Sequence, residues 1–264
     1  RDLHSFPTRR SSDLGKRKIK KNYVQKTGGA KSEISVIISD QKNADHIIFR
    51  SGDSTDGFDF AKFAEKFREK ADWLLVASQK EVWNQRQRAV LDFVKNKKAR
   101  LAFNPSSFQI SRAAEQLADF LPAVDLLFLN KDEAIELVLK LRKKEVQAPE
   151  KLLEELLFLG AKNVALTDGA EGAWAANKKE TYYLPVKKIP SAETVGAGDA
   201  FASGFLAAFS QEENLSKALA WGIANSGAVV EKVGATQGLL NLSAIQNRAE
   251  KLGPEIQDRR SRED

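Results

Sequence analysis

From Trp73 to Asp168 the chain alternates short apolar runs with amphipathic ones, and this rhythm restricts its fold more than any other feature. WLLVAS (73–78), RLAFNP (100–105), DLLFLN (125–130) and NVALTD (163–168) are continuous apolar runs of strand length. Between them KEVWNQRQRAVLDFVKNKK (80–98), ISRAAEQLADF (110–120), KDEAIELVLKLRKK (131–144) and PEKLLEELLFLG (149–160) carry apolar residues at helical spacing. Pro149 in a first turn and Gly160 past a last one bracket the fourth helix. Strands alternating with helices over short connections predict an α/β fold, a mostly parallel sheet flanked by helices and buried on both faces. Beyond it, GAWAANKKETYYLPV (172–186) predicts a strand pair, and two helices are predicted over 199–209 and 214–231.

The N-terminal part does not share this rhythm. EISVII (33–38) and HIIFRS (46–51) are β-branched runs joined by DQKNAD, which predicts a hairpin, a small β appendage. Gly52 to Gly57 is a turn-rich break, and FDFAKFAEKFREK (58–70) places Phe60, Phe63, Ala64 and Phe67 at helical spacing. RDLHSFPTRRSSDL (1–14) has no periodicity, and the chain contains no methionine. That opening resembles the conceptual translation of a sequencing adapter joined in frame to a gene fragment, and it is set aside as non-native. With it goes His4, which leaves His46 and makes a histidine-centred triad or multi-histidine metal site a poor expectation. At the other end EIQDRRSRED reads as a charged, disordered tail. The expected divisions are a non-native 1–14, a partial β lid over 15–57, a catalytic α/β domain over 58–252 and a tail over 253–264.

Charge and composition exclude several classes. No apolar run approaches the roughly 18 residues of a membrane span, so no membrane partner is expected. The absence of cysteine removes disulfides, thiolate zinc sites and cysteine nucleophiles, and fits a cytoplasmic protein. The net charge of +6 draws on a single run, Lys16–Lys18 with Lys20 and Lys21, while lysine and glutamate mix elsewhere. No nucleic-acid partner is expected from that pattern.

The densest chemistry lies in ETVGAGDAF (193–201). Phe201, Phe205, Leu206 and Phe209 predict a buried helix starting near residue 199, with Gly-Ala-Gly directly before it. Small residues admit a ligand to the backbone, and free first-turn amides at a helix N-terminus favour an anion. Asp199 would repel that anion, yet it suits a base that takes a proton from an attacking hydroxyl. A helix cap preceded by a glycine loop reads the same residues equally well. The pattern G-x-x-x-x-G-K-S/T is absent, and the dinucleotide fingerprint fails because Phe201 takes its third glycine position.

ETVGAGDAF resembles the late signature of the ribokinase-like (PfkB-type) carbohydrate kinases, Asp-Thr-x-Gly-Ala-Gly-Asp-x-Phe, departing at its first position. FNP (103–105), NKDE (130–133), TDGAEG (167–172) and GIANSGAVVEKVGATQG (222–238) resemble further pieces of that family in the same order. The likeness implies a ribokinase-like fold with a remnant small β lid, and ATP-dependent phosphoryl transfer to a hydroxyl of a sugar or nucleoside. It implies that Asp199 is the base and that the amides of Gly196, Ala197 and Gly198 form the anion hole. It places Asn130 and Glu133 at Mg²⁺, largely through water, and Thr167, Gly169, Gly172, Asn225 and Gly234 along the nucleotide. Glu193 stands where the family carries the aspartate linked to its monovalent cation, which puts K⁺ dependence in doubt. The family's first strand and its early Gly-Gly segment, which contact the sugar, have no counterpart here. The chain is therefore expected to be an N-terminally truncated fragment, inactive by itself, of a protein that dimerises through the lid. A non-catalytic binder of a nucleotide or sugar phosphate is the alternative.

Overall fold

The computed structural model describes residue 15 and residues 19–25, 34–40, 45–51, 58–77, 83–186 and 194–259. Residues 1–14, most of the Lys16–Lys21 run's start, the hairpin turn at 41–44, the break at 52–57, Glu193 and the tail from 260 lie outside the described residues.

β1 (Ile34–Asp40) and β2 (Asp45–Ser51) form the expected antiparallel hairpin, a two-stranded sheet of its own with Val36 opposite Phe49. The main sheet has seven strands in the order β3 (Trp73–Val76), β4 (Arg100–Phe103), β5 (Leu126–Asn130), β6 (Asn163–Thr167), β7 (Ala173–Asn177), β8 (Thr181–Leu184) and β9 (Gln257–Asp258). β3 to β6 run parallel; β7 reverses, β8 reverses again and β9 reverses once more, so five of the seven share one direction.

Helices cover both faces. On one side lie α1 (Phe60–Lys66), α2 (Trp83–Lys97), α3 (Ser107–Phe120), α4 (Lys131–Arg142) and α5 (Pro149–Phe158). On the other lie α6 (Ala197–Glu212), α7 (Leu215–Val230) and α8 (Leu242–Glu250). The strand period of two sorts the core between these layers. Leu101, Phe103, Leu127, Leu129, Val164 and Leu166 join the first core, while Ala102, Leu126, Phe128 and Ala165 join the second. The second face is rich in alanine, which leaves room for Phe201, Phe205 and Phe209 of α6. α6 and α7 cross closely: a Cβ on Gly204 would lie 2.7 Å from the Trp221 carbonyl, and one on Gly222 would lie 2.7 Å from the Phe201 ring.

Three sequence expectations need correction. The helix predicted over 58–70 stops at Lys66, where Phe67 turns extended and leaves its ring against Phe63 and Phe93. No element was predicted over 242–250, where α8 forms behind an Asn241 cap that accepts from the Ala244 amide. In the C-terminal stretch read as a tail, Gly253–Glu255 forms a 3-10 turn and β9 follows it. The Arg259 amide donates to the Thr181 carbonyl at 2.7 Å, and the Arg259 guanidinium lies 5.7 Å from the Tyr183 ring. Backbone pairing and ring contact hold a polar segment whose composition suggests none.

Candidate functional site

The C-terminal ends of the parallel strands all open on one cleft of about 810 Å³. That is where ligands sit in open α/β sheets, because the loops there are free to diverge from the sheet. Ala77 follows β3, Asn104 follows β4, Asn130 ends β5 and Thr167 ends β6, and all four line it. Ser106, Ser107 and Phe108 at the start of α3 form one wall. Gly198 and Asp199 at the start of α6 line the cleft as well, with Phe128 and Phe201. Those two rings meet edge to face at 6.4 Å.

At Asn130 the chain turns from strand to helix. The Asn130 side chain accepts from the Glu133 amide at 2.8 Å, and Glu133 Oε2 accepts from the Asn130 amide at 3.1 Å. This reciprocal capping box satisfies two amides that the helix itself cannot. The Ser107 hydroxyl donates to the other oxygen, Oε1, at 3.1 Å, so Glu133 also ties α4 to α3. Burial pushes the Glu133 carboxyl above its usual range, against the opposing pull of the Asn130 amide and the Ser107 hydroxyl.

The start of α6 is built differently. Gly196 caps it at φ +85°, in the left-handed region, and offers no side-chain acceptor. A Cβ there would lie 2.7 Å from the Ala235 carbonyl, so glycine permits both the turn and the approach of the neighbouring loop. The Ala197 amide donates to the Thr194 carbonyl at 3.2 Å, and the first helical bond runs from the Ala200 amide to Gly196. The amides of Gly198 and Asp199 have no acceptor among the described residues, and both residues are exposed to the cleft. Of the three amides singled out in the sequence, that of Ala197 has an acceptor, because it closes the turn.

Of the residues singled out in the sequence, the cleft brings together Asn130, Glu133, Thr167, Gly198 and Asp199. Gly169 and Gly172 lie beside it in the turn after β6, at φ +53° and +121°. Gly172 is forced by packing, since a Cβ would lie 2.2 Å from the Leu184 carbonyl. Gly234, at φ +103°, belongs to the loop behind Gly196. Asn225 is buried inside the helical layer. Its Nδ2 donates to the Ala200 carbonyl at 2.8 Å and to Ser203 Oγ at 3.3 Å, and its Oδ1 accepts from the Leu240 amide at 3.0 Å. It braces α6 against the chain that returns after α7.

Sequence reasoning missed Ser106 and Ser107. The available signal was a serine followed three residues later by glutamine, the capping box that Ser106 and Gln109 form. Also missed was the ion pair between Lys131 Nζ and Asp168 Oδ2, 2.8 Å apart. Its hydrogen bond to Asp168 raises the Lys131 ammonium above the ordinary lysine range.

The donor set can be tested against a divalent cation. Among the described residues no group of three or more His, Cys, Asp or Glu side chains converges on one point. Glu133 already accepts one hydrogen bond on each oxygen. Mg²⁺ keeps several waters and leans on one or two carboxylates and on substrate phosphates rather than on a protein cage, so Asn130 and Glu133 are the cleft residues that could hold its waters.

A family model described as pfkB family carbohydrate kinase matches residues 8–241. The ATP-dependent 6-phosphofructokinase of Thermoanaerobacterium thermosaccharolyticum is 33% identical over 133 residues, 50% of this chain and 39% of that protein. The ribokinase of Lactococcus lactis is 25% identical over 188 residues, 71% of this chain and 57% of that protein. The chain thus spans about half the length of these curated relatives. Among solved structures, the nucleoside kinase of Methanocaldococcus jannaschii shares the fold, with a TM-score of 0.71 at 21% identity over 94% of this chain and 78% of that one.

Proposed function

The chain belongs to the PfkB family of carbohydrate kinases, and from that premise we propose that it carries the phosphoryl-transfer half of an ATP-dependent kinase acting on a sugar hydroxyl. The observation that carries the proposal is the start of α6. Two unpartnered amides and one carboxylate face the cleft that Asn130 and Glu133 also line. An anion site with a carboxylate built into it suits a reaction that removes a proton while charge develops on a phosphoryl group.

In this reading Asp199 accepts the proton of the acceptor hydroxyl. The Gly198 and Asp199 amides donate to the transferring phosphoryl oxygens, with the turn at Gly196 and Ala197 presenting them. Asn130 and Glu133 would hold the waters of a Mg²⁺ ion, which supplies charge neutralisation on the phosphates when bound. Thr167 and the turn carrying Gly169 and Gly172 lie along the nucleotide, with Gly234 in the loop beyond. Asn225 acts indirectly, by setting where that loop meets α6. Glu193 is the candidate for a K⁺-linked acid, and the hairpin for a dimer contact in a cytoplasmic enzyme. Catalysis of this kind is mainly positioning and electrostatics.

Nucleoside is the second acceptor class, favoured by the fold shared with an archaeal nucleoside kinase. Among the described residues no helix is long and apolar enough to cross a membrane. The test follows ADP release over a panel of sugars and nucleosides, with the full-length gene product beside this chain. Asp199→Asn is expected to lower turnover on the best substrate by a factor of about 10² or more. Near-normal turnover of that variant refutes the assignment of the base. Nucleotide-induced stabilisation with no turnover on any acceptor points instead to a binding protein.

A further inference from the structure

The cleft has an electrostatic problem that its lining does not solve. Glu133 and Asp199 line it, and among the described residues no lining residue carries a positive charge. A nucleotide phosphate chain entering there meets like charge from both carboxylates. A bound divalent cation offsets part of that repulsion, and any cation within reach of the strand ends offsets more.

Lys131 is such a cation. Asn130 and Thr167 are register partners at the ends of β5 and β6, and both line the cleft. Lys131 and Asp168 follow directly after the last residue of each strand, and their side chains pair at 2.8 Å while keeping 31% and 19% of their surface exposed. Lys131 is also the first residue of α4, where the helix dipole disfavours a cation. Asp168 relieves that conflict in the structure, and an anionic ligand would relieve it as well. The lysine stem is long and flexible, so its ammonium can exchange one acceptor for another without moving the backbone.

We propose that Lys131 is a phosphate-binding residue of this cleft, whose ammonium leaves Asp168 for the phosphate chain of a bound nucleotide. The proposal rests on the nucleotide-binding reading of the site. It makes Asp168 a competitor for the lysine, and so predicts opposite signs for the two partners.

The test is calorimetric titration of the whole chain with Mg·ADP at fixed ionic strength, with circular dichroism to check that each variant folds. Lys131→Gln is expected to weaken binding about tenfold, the loss typical of one charge-assisted hydrogen bond, and Lys131→Arg to restore most of it. Asp168→Asn is expected to tighten binding, and to lose that gain in the Lys131→Gln background. The salt dependence of binding should be shallower in Lys131→Gln. If Asp168→Asn weakens binding as Lys131→Gln does, the pair is only a structural brace and the proposal fails. It fails alone if Lys131→Gln binds as the parent does, and together with the kinase reading if the parent binds no Mg·ADP.

Discussion

Asn225→Ala separates two roles that the same residue could play. The family resemblance implies a place for Asn225 along the nucleotide, whereas the structure uses its whole amide inside the protein. At 5% exposure it bonds Ala200 and Ser203 of α6 and the Leu240 amide. Truncation strands the Leu240 N–H, which costs about 1–3 kcal/mol if the group stays dry. Leu240 is only half-buried, so water recovers part of that, while the loss of two donors to α6 and a small void add to it. A net destabilisation of about 2 kcal/mol follows. For a chain of this size that lowers Tm by about 4–8 °C. Thermal unfolding followed by circular dichroism reads it directly. A variant that melts within about 1 °C of the parent, where harmless surface substitutions fall, refutes the bracing role. Loss of Mg·ADP affinity without any fall in Tm would return Asn225 to the nucleotide.

Two further predictions concern glycine and glutamate. Gly172→Ala must place a Cβ 2.2 Å from the Leu184 carbonyl at φ +121°, whereas Gly169→Ala meets nothing within 4 Å at φ +53°. Urea unfolding should show a loss of about 3 kcal/mol for the first and about 1 kcal/mol for the second; equal losses would mean that backbone angle alone, not the approach of β8, demands Gly172. Glu133→Gln keeps the capping geometry and removes a carboxylate that burial holds above its usual titration range. A raised carboxyl penalises folding only once it ionises, so the penalty is absent at low pH and grows as pH climbs from the ordinary glutamate range through the raised value. The Tm of Glu133→Gln relative to the parent should therefore improve between pH 4 and pH 7, and a constant difference would contradict the assigned burial effect.

The regions legible in the sequence share one physical property, a hydrophobic period that matches local geometry. β4 to β6 are uninterrupted apolar runs because both of their faces are buried, and α4 and α5 show helical spacing because one face of each is. Elements that contribute little apolar surface escaped. β9 is two polar residues on an edge strand, and α8 buries only Ile245 and Ala249. In the site, NKDE and VGAGDAF were legible because each pairs a glycine or a cap with a charged residue at a chain turn. What they bond was not legible. Glu133 reaches Ser107, 26 residues earlier, and the Ala197 amide spends itself within the turn, while those of Gly198 and Asp199 have no acceptor among the described residues.

The sequence by itself determined the layers, the strand ends and the presence of an acid at a helix start preceded by glycine, since these follow from periodicity and backbone sterics within a few residues. Tertiary structure alone decided which of the marked residues meet. It set Asn130, Glu133, Thr167, Gly198 and Asp199 around one cleft, turned Asn225 into an internal strut and paired Lys131 with Asp168. Those choices depend on register between strands and on helix crossings far apart in the chain, and no local pattern encodes them.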